Sequence, residues 1–235
     1  GATVPVCTFT LQKGQLDAQK GCYIRLADLR GSENQGPKTL EAIRNRDCGW
    51  FFEAAQDDFG KIEGAPVAYW VPRQLLVLAA QGRKVGEVVT ASNGIQTGDN
   101  ETFVRLWHEV DSRTIGEKWF PYNKGGPFRR WYGNNTHIVF WDDDGRDIRM
   151  RENCCIRGER FYFQPGITWS DITSAINSFR IFPKGHLFDA KGPSAFVRDQ
   201  SQELVLGLLN ASITHFFSKA LNPTLSFQIG DLRRL

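Results

Sequence analysis

The sequence predicts an α+β fold, mixed and built mainly from short antiparallel strands with a few helices. Apolar runs are short and end at Gly or Pro, helical periodicity is confined to a few stretches, and strands and helices do not alternate strictly. With 235 residues and 41% hydrophobic content, the chain can bury a sizeable core as one large domain or two small ones.

TVPVCTFTLQ and GCYIRLADL alternate apolar with polar across a polar LQKGQLDAQKG, predicting two paired antiparallel strands. Lys38 to Arg46 is a short helix candidate. Pro72 to Gln81 reads as a helix opened by Pro and closed by Gly82. Gly82-Arg83-Lys84 is the expected boundary between residues 1–82 and 83–235. Beyond it, VGEVVTASNGIQTGDNETFVRLWHEV reads as strand, polar turn, strand. His137 to Trp141 is a strand ending in the acidic turn Asp142-Asp143-Asp144-Gly145. Phe161 to Phe163, Phe179 to Phe182 and His186 to Phe188 follow as strands, with helical turns expected over Asp171 to Asn177. Ser201 to Leu221 is the clearest helix. Ser201 caps it, Glu203 suits its first turn, Leu204, Leu208, Ser212 and Phe216 share a face, and Asn222-Pro223 stops it.

Net charge is only +3, so any affinity for nucleic acid must come from local clustering. No apolar run is long enough for a membrane helix, and the start, GATVPVC, has neither a secretory pattern nor an initiator Met. A piece of a longer, cytoplasmic protein is expected. Cys7, Cys22, Cys48, Cys154 and Cys155 form no metal-clamp spacing and read as reduced thiols. The N-x-S/T triplets at Asn100, Asn134 and Asn210 are then chance.

Between Lys118 and Asn134 runs KWFPYNKGGPFRRWYGN, seventeen residues with six aromatics, four Lys or Arg, three Gly and no carboxylate. Lys124, Arg129 and Arg130 suit phosphates or guanine edges, Trp131 and Tyr132 suit base stacking, and Gly125-Gly126 permits close backbone approach. A solvated loop with core-plugging aromatics has the same composition. Arg157, Arg160, Arg180, Lys184, Lys191 and Arg198 are further DNA-facing candidates on strands and turns. FPKG and DAKGPSAF resemble loops that approach a backbone, though each also fits a hairpin turn with a solvated Lys. SFRIF and FYF read as core strands, and Trp169 as a packed aromatic.

Catalytic motifs are scarce. Asp142, Asp143, Asp144 and Asp147 offer oxygens for a divalent ion, the basis of a metal-dependent nuclease reading, but three Asp before Gly also make a solvated turn. Asn222-Pro223-Thr224-Leu225 falls short of the Asn-Pro-Pro-aromatic motif of amino-methyltransferases, lacking the second Pro and the aromatic. A third class is a protein-interaction domain docking through the aromatic loop.

Five segments in order carry a resemblance: SNGIQTGDNETFVRLWHEV, KWFPYNKGGPFRRWYGNN, FYFQPGITWSDI, SFRIFPKGHLFDAKGPSAF and LGLLNASITHFFSKALNPTLSFQIGD. From about Ala65 onward the chain resembles the C-terminal half of bacterial adenine-specific DNA methyltransferases of the bacteriophage-exclusion (PglX-type) and type IIG restriction-modification group. The resemblance implies a non-catalytic, target-recognition-domain-like fold that reads double-stranded DNA. It implies DNA-facing roles for Thr97, Gly98, Asn100, Lys124, Arg129, Arg130, Trp131 and Tyr132. It also implies that S-adenosylmethionine binds a separate catalytic domain, to which residues before Ala65 are the tail or connector. Other phage-defence subunits are possible partners of the parent.

Overall fold

The computed structural model describes residues 7–14, 20–29, 31–173, 176–222 and 224–235. It is mixed α+β, in two compact units, Gly1–Gly82 and Arg83–Leu235.

In the first unit, β1 (Gly21–Ile24) pairs antiparallel with β2 (Phe51–Ala54), in a register that sets Tyr23 opposite Phe52. Both rings then pack on Tyr69, Tyr23 stacked at 4.4 Å and Phe52 tilted at 5.6 Å. This corrects the predicted partner of β1: residues 7–13 carry no strand, and residues 3–6 lie outside the described ones. Alternation alone could not reveal that Phe51-Phe52 offered the better aromatic packing. Helix α1 (Ser32–Arg44) starts a turn and a half before the predicted Lys38 and runs through Pro37. Glu33 in its first turn favours that earlier start. A one-turn α2 (Gln56–Phe59) precedes α3 (Arg73–Gln81), which lies where Pro72 and Gly82 predict it.

The second unit holds two four-stranded sheets. A one-turn α4 (Val85–Val88) opens it where a strand was expected, because Glu87 folds back to accept from Lys84 N and Val85 N donates to Leu235 O. Strand β3 (Val89–Ser92) follows. Asp99 caps the short α5 (Asn100–Phe103), which leads into β4 (Val104–Leu106). Next come β5 (Trp119–Asn123) and β6 (His137–Phe140). The acidic turn Asp142–Gly145 has left-handed backbone at Asp143 and Asp144 and runs into α6 (Arg146–Arg149), a helix the sequence did not predict. Then follow β7 (Gly166–Thr168), β8 (Arg180–Phe182), β9 (Leu187–Phe188) and β10 (Ser194–Val197). One sheet runs β3-β10-β7-β8, all antiparallel; the other runs β4-β6-β5-β9, with β5 and β9 parallel.

The first sheet is covered on both faces; its central strands β7 and β10 were not among the predicted ones, and Ser194–Val197 is a buried strand where a loop or hairpin turn was expected. On β10, Ala195 belongs to a core with Trp169, Phe179, Val205, Leu209 and Leu232, while Phe196 meets Phe182 and Phe188 on the other side. Phe161–Phe163 is not the predicted core strand. A 3-10 turn over Glu159–Phe161 presents Phe161 to stack on Phe196 at 4.3 Å, and Phe163 is left-handed. Asp171 is also non-helical, with its carboxylate held by Ser226 Oγ and Lys191 Nζ at 2.9 Å each; residues 174–175 of the predicted helical turns lie outside the described ones.

The predicted long helix is two: α7 (Gln202–Leu209) and α8 (Ser212–Leu221), bent by 63°. The break follows from Asn210, whose side-chain amide bonds both backbone groups of Phe179, at 3.1 and 3.0 Å. Ser201 caps α7 as expected, but Leu204 is 63% exposed, and Val205, Leu206 and Leu209 form the buried face. Asn222 is the C-cap of α8, Pro223 lies outside the described residues, and α9 (Ile229–Arg234) ends the chain. All five cysteines are free. Among the described residues no single helix is long and apolar enough to cross a membrane.

Burial shapes the pH response. It pushes the imidazoles of His137, His186 and His215 below their ordinary value. The unfolded chain therefore takes up protons before the fold does as pH drops below about 6.5, and stability falls in that window. We expect a lower thermal midpoint at pH 5.5 than at pH 7.5, with a smaller drop in His186→Gln; a drop of equal size in both would remove His186 from the account.

Candidate nucleic-acid interface

Residues 124–136 join β5 to β6 and are pinned to β8, an edge strand of the other sheet. Trp131 N donates to Phe179 O (3.0 Å) and Ile181 N donates to Trp131 O (2.9 Å), so one loop residue bonds β8 as a parallel strand would. Arg129 N donates to Ser178 Oγ at 3.2 Å, and Ser170 Oγ donates to Gly126 O at 2.8 Å. Gly125 is left-handed, and a Cβ there would sit 3.1 Å from Lys191 O, so the GG pair serves a close approach within the fold.

Holding the backbone turns side chains outward. Trp131 is 52% and Tyr132 59% exposed, and Phe128 and Arg129 are exposed beside them. The Arg130 guanidinium lies over the Phe128 ring at 5.6 Å. Among the described residues no carboxylate pairs with Arg129 or Arg130. Phe128, Trp131 and Tyr132 are surface groups, whereas Tyr122 and Phe120 of the same stretch pack into the core as the alternative expected.

The other candidates fall elsewhere. Lys124 Nζ pairs with the buried Asp189 at 3.2 Å, alongside the Tyr122 hydroxyl at 2.9 Å from the same oxygen. Burial, then the Asp189 charge, pushes the Tyr122 hydroxyl well above its ordinary pKa. Lys191 pairs with Asp171, and Lys184 is exposed on the turn after β8. Thr97 is buried; its Oγ1 donates to Asn100 Oδ1 (2.9 Å) and accepts from Asp99 N (3.2 Å). Gly98 is left-handed against the Asn153 backbone. Asn100 and Lys124, far apart in sequence, line one cleft of about 260 Å³ with Glu101, Arg105 and His137. The candidates thus form two groups: Arg129 to Tyr132 on the β8 edge, and Asn100 with Lys124 in the cleft.

Arg198 Nη2 is engaged by Gly86 O and Val89 O, and Arg160 lies over Phe161 at 4.6 Å. Arg180 is buried directly beside the loop. The sequence grouped it with the surface cations; its position within the apolar run FRIF is the signal that could have set it apart. His215, near enough to Arg130 for that charge to lower its pKa further, gave no sequence signal.

The acidic turn faces cations. Asp142 pairs with Lys118 (3.3 Å), Asp143 and Asp147 with Arg146 (2.8 and 3.2 Å), and Asp144 with Arg149 (3.2 Å). Among the described residues no three His, Cys, Asp or Glu converge as metal ligands.

No protein-family model matches the chain. An adenine-specific methyltransferase PglX from Lacticaseibacillus casei (strain Zhang) is 34% identical over the whole chain, which covers 21% of that protein. An adenine-specific methyltransferase BrxX from Escherichia coli O9:H4 (strain HS) is 30% identical, again over the whole chain and 20% of its own length. The chain is a homologue of PglX-type proteins. It spans about a fifth of the length of the curated relatives it matches, consistent with a C-terminal region of such proteins. Asn222 is fully occupied as a cap, donating to Ser226 O and Asp231 Oδ2 and accepting from Thr224 N. Both ends of its amide are thus committed within the fold.

Proposed function

We propose that this chain is the non-catalytic DNA-recognition region of an adenine-specific DNA methyltransferase acting in phage defence or restriction-modification. One observation carries the reading: two arginines without carboxylate partners among the described residues stand beside exposed Trp131 and Tyr132 on a backbone fixed to β8. Arginines so placed can neutralise phosphates, and the aromatic faces can stack on or wedge beside bases. Asn100 and Lys124 in the cleft form a second contact region. Lys184, Lys191, Thr97 and Gly98 support those surfaces from the adjoining turns.

On this reading S-adenosylmethionine binds the remaining four fifths of the parent. This region holds the duplex in the cytoplasm while the target adenine is turned out of the stack by the catalytic domain. Other phage-defence subunits would meet the parent outside these surfaces.

Fluorescence anisotropy of a mixed-sequence duplex tests the reading. Log affinity is expected to fall linearly with log salt, and Arg129→Ala/Arg130→Ala to lower that slope by about two and weaken binding roughly tenfold per lost contact near 0.1 M salt. Unchanged binding by the double variant would take the DNA surface off the loop. No binding by folded protein at low salt would favour a protein-docking role.

A further inference from the structure

Strand, loop and helix elbow meet at one residue of β8's approach. Phe179 N donates to Asn210 Oδ1, while its carbonyl accepts from Asn210 Nδ2 and from Trp131 N. Beside it, Arg180 is only 1% exposed. Its Nη1 reaches Ser178 O and Oγ at 3.3 Å and lies 3.5 Å from Arg129 O. Its Nε and Nη2 have no acceptor among the described residues. The same holds for the buried Nε of Arg130 and Nδ1 of His215, from the loop and from α8.

A buried guanidinium with two idle donors is costly, since charge removed from water needs both a counter-charge and hydrogen bonds. Burial lowers the Arg180 pKa to about 10, so it remains charged at neutral pH. Apolar neighbours do not explain why a cation is kept here, whereas Ile181 and Phe182 show what the strand otherwise uses. Planar Arg forks match the oxygens of phosphate.

We propose that Arg180, with Arg130 and the His215 edge, forms a receptor for one phosphate oxyanion beneath the loop. A backbone phosphate of DNA enters it by displacing the Arg129 peptide from Ser178 and Arg180. The DNA source rests on the recognition reading above; the anion site does not.

Thermal unfolding of the whole chain in sodium phosphate and in sodium chloride at equal ionic strength tests the site. For wild type, phosphate is expected to raise the midpoint in a saturable manner at millimolar concentration. Arg180→Lys should retain part of that rise and Arg180→Met lose it. A rise linear in concentration, as solute exclusion produces, or none at all in wild type, overturns the site whatever the variants do. Duplex titration separates the two phosphate sources. A salt slope lower by about one in Arg180→Met assigns the receptor to the DNA backbone. An unchanged slope with a saturable phosphate rise overturns that assignment and leaves a free-phosphate site. Duplex binding that Arg129→Ala/Arg130→Ala still weakens keeps the recognition reading even if this site fails. A phosphate rise without any duplex binding does the reverse.

Discussion

Asp189→Ala is expected to cost the second unit about 3 kcal/mol, the lower end of the range for stranding one partner of a buried ion pair. Asp189 Oδ2 faces both the Tyr122 hydroxyl and Lys124 Nζ, and Oδ1 accepts from Lys191 N at 2.6 Å. Removing the carboxylate leaves a partly buried ammonium and a backbone N–H without acceptors. Lys124 keeps some access to water, which sets the estimate at the low end. Chemical denaturation of the double variant Asp189→Ala/Lys124→Met gives the check. It should be more stable than Asp189→Ala alone, because the stranded cation has gone. If the double variant is no better, Lys124 is not what Asp189 holds.

Gly94→Ala is expected to be of similar size or larger, for a steric reason. A Cβ at Gly94 would lie 1.8 Å from Phe188 O, and Ile95 N donates to that same oxygen at 2.8 Å. The oxygen belongs to the backbone of β9 and cannot rotate away, so the methyl group must part the segments and break the bond. We expect a loss of about 3 kcal/mol, the upper range for overpacking a tight site. Gly207→Ala is the contrast. It sits in α7 with nothing within 4 Å of its Cβ, and should stabilise by roughly 0.5–1 kcal/mol through helix propensity. Equal effects from the two substitutions would show that close approach at Gly94 is not limiting.

What could be read from sequence depended on how local its cause was. Helix α3 and strand β6 lay where predicted, because Pro72, Gly82 and the run His137 to Phe140 act through their immediate neighbours. The break at Asn210 could not be read, since nothing in LLNASITHFF forbids a continuous helix. Its cause is a bond to Phe179, 31 residues earlier. Tyr162 tells the same story: it packs edge-on against Trp141 and Phe188, partners that no window around FYF contains. For the candidate site, the charge and aromatic content of the loop were legible. The pairing of Lys124 and Lys191 with Asp189 and Asp171 was not, because those carboxylates lie 65 and 20 residues away. Composition distinguishes a cation from a neutral residue, but only packing distinguishes a committed cation from an idle one.

The way the loop rides on β8 separates how it is held from what it displays. Trp131 gives the strand only its own N–H and C=O, and Arg129 gives Ser178 only its N–H. Side-chain identity at 129, 130 and 132 therefore carries no part of the attachment. Residues 128, 129 and 132 can drift in sequence while Pro127 and Gly133 stay in register, changing what the surface prefers at little expense to folding; left-handed Trp131 and half-buried Arg130 are held more tightly. A transplant of that short stretch between homologues is the natural unit in which such a preference would travel.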